Sequence, residues 1–234
     1  MKKAVSIILC LVMLATIVPI SVITTNAAMA DESEDYELGT KIEGSSDSYF
    51  KFNLTQKSHI ILSCKYEHEY YDNWNIYDTS GRIVCKDIDI RTKAKYNPTT
   101  EQYSTIYSRN LNKGTYYLEV DVYGHNYYTF TLDAEPAIKL PKGTLTSVKS
   151  SKKGQFVAKC KSAADAIGYQ FQYSLNERFK SGVKTLKSSV AKKTVKKLKV
   201  GKRYYVRVRP YTIYTDGTYV FGQYSLPKSV KIKK

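Results

Sequence analysis

Leu111-Asn112-Lys113-Gly114-Thr115-Tyr116-Tyr117-Leu118-Glu119-Val120-Asp121-Val122 decides the fold. A turn ending in glycine leads into a run in which large apolar side chains return at every second position: Tyr116, Leu118, Val120, Val122. Successive residues of a strand face opposite ways, so this spacing packs one face and leaves the other in water. The same period recurs upstream and downstream. Phe50-Lys51-Phe52-Asn53-Leu54 alternates, Ile60-Ile61-Leu62-Ser63-Cys64 does so more loosely, and Tyr128-Thr129-Phe130-Thr131-Leu132 closes the series. Trp74-Asn75-Ile76-Tyr77 enters the turn Asp78-Thr79-Ser80-Gly81 and returns as Arg82-Ile83-Val84-Cys85, which is a hairpin. Helical periodicity is nearly absent. About seven short strands with regular turns specify a β-sandwich over residues 40–135. The long polar stretch Arg91 to Asn110 reads as a loop insertion.

Residues 143–234 read the same way. Phe156–Cys160, Gly168–Ser174, Tyr204–Arg209 and Lys228–Ile232 are strand-like, with Leu198-Lys199-Val200-Gly201 as a turn before the third. The fold class is therefore all-β, two antiparallel β-sandwiches in tandem. Charge separates them. Residues 31–136 hold 11 Lys and Arg against 18 Asp and Glu, a net −7; residues 137–234 hold 24 against 3, a net +21. So abrupt a change marks a domain boundary. Residues 136–142, with Pro136 and Pro141, suit a short stiff linker.

The amino terminus reads as an export signal. Met1-Lys2-Lys3 is followed by an apolar run to about Ile23, and Ala28-Met29-Ala30 fits signal peptidase, with cleavage before Asp31. Residues 1–30 are thus a signal peptide and 31–39 an acidic tail. An uncleaved anchor is the alternative, since the run is long enough to span a bilayer. No second stretch approaches that length, so the cleaved chain is not transmembrane, and a secreted or cell-surface location follows. Beyond the leader stand Cys64, Cys85 and Cys160, too few for a disulfide scaffold and without zinc spacing. Cys64 and Cys85 either bridge or lie as two buried thiols.

Two resemblances emerge. Phe50-x-Phe52-x-Leu54, Trp74-x-Ile76-Tyr77-Asp78-x-x-Gly81, Leu111-x-x-Gly114-Thr115-Tyr116-Tyr117-x-x-Val120 and Tyr128-x-Phe130-x-Leu132 together resemble the bacterial pre-peptidase C-terminal domain. That resemblance implies a jelly-roll-like sandwich, non-catalytic, of the kind appended to secreted hydrolases; some relatives bind collagen or carbohydrate and some bind calcium. Gly168-Tyr169-x-Phe171-x-Tyr173-Ser174 and Leu198-x-x-Gly201-x-x-Tyr204-x-Val206-x-Val208 resemble a fibronectin type III domain of the lysine-rich kind found in secreted Gram-positive proteins. It implies that Tyr204 is a corner tyrosine. Cys160 stands where that family usually has a core Trp, which implies a slightly underfilled core.

No catalytic constellation is legible. None of His59, His68 and His125 lies in a nucleophile–base motif, and in Glu67-His68-Glu69 a strand would send neighbours to opposite faces. The chain reads as a binding protein and not an enzyme. Tyr77, Tyr117, Tyr123 and Tyr127 fall on the outward parity, with Tyr70 and Tyr71 in a loop; they form either a sugar-stacking face or ordinary strand surface. Lys192, Lys193, Lys196, Lys197, Lys199, Lys202 and Arg203 form a dense basic run. Export argues against nucleic acid, and no aromatic-basic RNA motif is present. Anionic wall polymers such as teichoic acids are the sharper partner, and protection of a sheet edge is the plainer role. Asp31, Glu32, Glu34, Asp35, Glu37, Glu43 and Asp47 suit calcium by ligand type but lack loop spacing, so no cofactor is required and calcium is the alternative. The expected function is a secreted binding or adhesion module that recognises carbohydrate or cell-wall polymer. The alternative is a structural accessory that contacts another exported protein.

Overall fold

A computed structural model describes residues 29–67, 73–86, 88, 94–122 and 127–234. It divides into two compact units, with the division between Glu135 and Pro136. The expected signal peptide lies almost wholly outside the described residues. Among these, no helix is long and apolar enough to cross a membrane.

The first unit contains β1 (Ser33–Asp35), β2 (Lys41–Gly44), β3 (Ser48–Leu54), β4 (Ser58–Tyr66), β5 (Asn73–Asp78), β6 (Ile83–Cys85), β7 (Lys95–Asn97), β8 (Gln102–Leu111), β9 (Gly114–Asp121) and β10 (Tyr128–Pro136). They form two five-stranded sheets, ordered β1-β3-β9-β5-β6 and β2-β10-β4-β8-β7. From β3 the chain passes back and forth between the sheets, which gives a jelly-roll-like sandwich. The inward parity of each strand fills a single core. Phe50, Phe52, Trp74, Ile76, Tyr116, Leu118 and Val120 come from the first sheet, and Ile60, Leu62, Cys64, Tyr66, Tyr128, Phe130 and Leu132 from the second. Trp74 meets Tyr128 and Phe130 edge-on at 5.6 and 5.5 Å, and Phe50 meets Phe130 at 5.1 Å. Each such pair adds about 0.5–1.5 kcal/mol to the burial of its area.

Two expectations are corrected here. The polar stretch 91–110 is, from residue 94 on, not a loop insertion: it holds β7 and all of β8 but Leu111, and β8 pairs with β4 from Ser58↔Leu111 to Tyr66↔Tyr103. Its inward face reads as polar because it is made of Tyr103, Thr105 and Tyr107, whose rings or methyl groups pack while their hydroxyls remain. The segment 31–39 is not a tail. β1 runs parallel to β3, and Asp35 pairs with Lys51 at 3.0 Å. Tyr36 enters the core, where its hydroxyl donates to Thr40 O at 2.5 Å and accepts the Leu132 N–H at 2.8 Å.

The second unit contains β11 (Leu145–Lys149), β12 (Phe156–Cys160), β13 (Gly168–Ser174), β14 (Lys184–Ser188), β15 (Lys192–Val195), β16 (Arg203–Ile213), β17 (Tyr219–Phe221) and β18 (Lys228–Lys231). One sheet is β11-β12-β15; the other is β14-β13-β16-β17, with β18 also on β16. Phe156, Ala158, Phe171, Val206, Val208 and Ile232 lie at the centre of its core. Tyr204 is buried and its hydroxyl accepts the Lys199 N–H at 3.2 Å, the local tie expected of a corner tyrosine. Residues 136–142, expected to link the units, are held within the second. The Ile138 N–H donates to Tyr214 Oη at 2.8 Å, and Leu140 is buried. Gly143 follows them against β16, where a Cβ would come 2.1 Å from Val208 O, so no larger residue fits without moving backbone. Cys160 also borders a surface recess of about 260 Å³ between the 141–144 and 160–164 segments.

Cys64, Cys85 and Cys160 are free and buried, so the bridge kept open above is not formed. Burial pushes the Cys64 thiol up to about 12 and Cys160 up to about 11.

Trp74 is the protein's single tryptophan and reports on the first unit alone. Tyr36→Phe leaves the buried Leu132 N–H without its acceptor. We expect urea unfolding followed by Trp74 fluorescence to show a loss of about 1–3 kcal/mol. An unchanged midpoint would mean that Tyr36 does not tie the amino-terminal segment to β10.

Candidate functional site

The second sheet of the first unit carries a groove on its outward face. Small polar residues form its floor: Thr129 and Thr131 of β10, Ser63 of β4, Ser104 of β8. Taller side chains stand around them. Tyr127, just before β10, is 62% exposed, and Ile106 of β8 is 53% exposed. Lys41 and Glu43 of β2 pair with each other, and this contact holds the Glu43 carboxyl below its usual range. The recess measures about 900 Å³. It exists because alternate outward positions on three neighbouring strands are short while the margins are long. Hydroxyls on the floor and one aromatic ring at the margin suit a ligand with many hydroxyls and a flat apolar face.

The first sheet presents a different outward face. Tyr77 and Tyr117 stand side by side on β5 and β9, with Lys51 on the far side of Tyr117. Glu119, one outward position along β9, accepts from Tyr49 Oη at 3.1 Å, Asn75 Nδ2 at 2.7 Å and Tyr77 Oη at 2.8 Å. Burial, and then the Glu119 charge, push the Tyr49 phenol up to about 12; burial, and then the hydrogen bond to Glu119, raise Tyr77. The hydroxyls of Tyr49 and Tyr77 are thus committed to holding a carboxylate. Tyr117 is the ring of this face whose hydroxyl is not part of that network.

The six candidate tyrosines therefore do not form one surface. Tyr77 and Tyr117 share the first sheet, Tyr127 belongs to the groove on the second, and Tyr70, Tyr71 and Tyr123 lie outside the described residues. Tyr49, Asn75 and Glu119 were not singled out from sequence. Their outward parity beside Phe50, Ile76 and Leu118 was the available signal.

The basic run is also divided. Lys192 lies on β15 directly opposite Lys159 of β12, a like-charge pair that disfavours the strand contact. Lys193 turns back and donates to Lys187 O at 2.8 Å. Lys196, Lys197, Lys199 and Lys202 are exposed around the turn before β16. Arg203, at the start of β16, donates to Ser229 Oγ at 3.0 Å. Lys197 and Lys199, with Lys184, line a recess of about 570 Å³, and the other five cations are not among its lining residues.

The acidic residues weighed for calcium are dispersed as well. Asp35 pairs with Lys51, Glu43 with Lys41, and Asp47 accepts the Val122 N–H at 2.8 Å. Among the described residues, no three His, Cys, Asp or Glu side chains gather as metal ligands would. His59 is buried, with Nδ1 2.9 Å from Asn110 Oδ1; His68 and His125 lie outside the described residues.

No family model matches this chain, and no curated protein matches it. Solved structures similar to it include both kinds of domain named above. The pre-peptidase C-terminal domain of a Bacillus anthracis collagenase is 20% identical, over 44% of this chain and 95% of that one, with a TM-score of 0.33. An Fn3-like protein from Clostridium thermocellum is 19% identical, over 41% of this chain and 93% of that one, with a TM-score of 0.31. A β-1,2-glucanase from Parabacteroides distasonis is 14% identical, over 83% of this chain and 32% of the enzyme, with a TM-score of 0.35.

Glu119 supplies a negative charge that opposes ionisation of its phenol neighbours, so Glu119→Gln should lower their titration. In an absorbance titration of tyrosinate, we expect the Tyr49 phenol to move down from about 12 but to stay above the ordinary 10.0, because burial remains, while Tyr107 keeps its value of about 12. Linkage gives the sign for stability. These phenols stay protonated in the fold after the unfolded chain has ionised, so stability is full below about pH 10 and falls from there towards 12. An identical titration in Glu119→Gln would show that the carboxylate does not govern the cluster.

Proposed function

We propose that this chain is an extracellular, non-catalytic binding protein. In this reading the first unit takes a carbohydrate in the groove of β2-β10-β4-β8-β7, and the basic second unit holds the protein to an anionic polymer of the cell envelope. The groove carries the reading: a floor of small hydroxyl residues under an exposed Tyr127. Sugars offer the same combination in reverse, with hydroxyls at their edges and an apolar ring face for stacking. The first sheet supports the assignment by contrast, because its Tyr49 and Tyr77 hydroxyls are already engaged by Glu119. For the second unit the support is charge. Its 24 basic residues against 3 acidic ones draw a polyanion at long range, and salt screens that attraction.

Retention on a panel of insoluble polysaccharides and purified cell walls tests both halves. Tyr127→Ala should weaken polysaccharide retention about tenfold, the size of a central aromatic contact, while Tyr117→Ala leaves it nearly unchanged. A larger loss from Tyr117→Ala would move the site to the other sheet. Failure to bind any polysaccharide would end the carbohydrate reading. Wall retention that persists in high salt would end the charge-based one.

A further inference from the structure

The outward face of β14-β13-β16-β17 carries charge in an order that the lysine-rich turn lacks. Arg207 and Arg209 stand on β16 opposite Gln172 and Gln170 of β13, with Lys187 beyond Gln170 on β14. The Arg207 guanidinium lies 4.3 Å from the ring centre of Phe179 and 4.2 Å from that of Tyr224. Arg209 lies 4.4 Å from Tyr224 and 3.8 Å from Phe221. The result is a row, Phe179–Arg207–Tyr224–Arg209–Phe221. Tyr219 continues it by stacking on Phe221 at 5.7 Å, and the Lys187 ammonium sits 3.5 Å over Tyr219. The Tyr211 ring reaches over Gly168, where a Cβ would come within 2.6 Å of the Tyr211 hydroxyl, so glycine lets the face stay flat.

Both guanidinium groups are fixed in orientation. Arg207 Nε donates to Gln172 Oε1 at 2.9 Å and Arg209 Nε to Gln170 Oε1 at 2.8 Å. Tyr224 Oη donates to the same Gln170 oxygen at 2.6 Å. Rings cover the flat faces and the glutamines engage Nε, so what each group has left to offer is its terminal amino pair. Neither arginine forms an ion pair among the described residues. A side chain already fixed loses little further freedom on binding, whereas an exposed lysine on a turn must be ordered first. Two residues along a strand separate the arginines by about 7 Å. Guanidinium forks at a set spacing match anions that repeat along a chain.

We propose that this row, and not the segment Lys192 to Arg203, is where the second unit binds a linear phosphodiester polymer. Arg207 and Arg209 each hold a phosphate, and Lys187 adds charge at one end. The proposal rests on the reading that the second unit holds an anionic polymer, and it names the site. A phosphodiester carries its charge in the backbone, so successive anions can follow a straight row of cations. A polyuronate hangs one carboxylate from each ring, to the side of its backbone, and serves as the control.

The full chain is titrated with poly(glycerol phosphate), and separately with polygalacturonate, across a series of salt concentrations. Arg207→Gln with Arg209→Gln should weaken poly(glycerol phosphate) binding by roughly tenfold per arginine and lower the salt slope by about 2. Lys196→Gln, Lys197→Gln and Lys199→Gln together remove one more charge and should cost less affinity. An equal or greater loss from the lysine variant overturns the site while leaving polyanion binding intact. No binding by the unaltered chain overturns both, and equal affinity for polygalacturonate overturns the choice of phosphate. Should the arginine variant fail to fold, the side-chain Nε–H resonances of Arg207 and Arg209 in the unaltered protein give the answer. They should shift during the titration, and fixed resonances would refute the site.

Discussion

Neighbouring residues of a strand cannot face the same way, and this geometric rule governs both halves of the molecule. Once Phe50, Ile76 and Leu118 turn inward to meet Phe130 and Leu62, Tyr49, Tyr77 and Glu119 have no choice but to face out. Once Val206 and Val208 enter the second core, Arg207 and Arg209 must lie on its surface. Each of these outward faces is the reverse side of a packed one. A core substitution that shifts a strand by one residue would therefore bury the surface groups as well as expose the core.

The outward faces have been filled in three ways. On the first sheet, Glu119 gathers hydroxyl and amide donors, so the face is closed by its own hydrogen bonds. On the second sheet, short residues leave a groove. In the second unit, rings and guanidinium groups interleave, and among the described residues neither Arg207 nor Arg209 has a carboxylate partner. Buried area alone would not distinguish these faces. What separates them is which polar groups still have bonding capacity pointed at solvent.

Much of the core was legible in the sequence because period-two alternation is blunt. Trp74, Tyr116 and Tyr128 share the parity of Ile76, Leu118 and Phe130, and all six are buried. Val195 and Leu198 are likewise buried within a run of lysines. β8 was missed because Tyr103, Thr105 and Tyr107 bring polar atoms to an inward face. β1 was missed because Ser33, Glu34 and Asp35 have no apolar signature and are held by backbone pairing with β3. The sites were less legible for a different reason. Tyr127 could be singled out, but Ser63, Ser104 and Thr129 make a floor only when distant strands become neighbours. Phe179 and Tyr224 come from loops, and no local spacing associates them with Arg207.

The three core thiols carry a further consequence. Cys64 and Cys160 pack as apolar residues, Cys85 lies in the core beside Tyr107 and Arg109, and no covalent cross-link joins the three. Burial, strand pairing and side-chain hydrogen bonds hold both sandwiches without a cross-link among the described residues. Among the described residues there is therefore no disulfide for a reducing compartment to break.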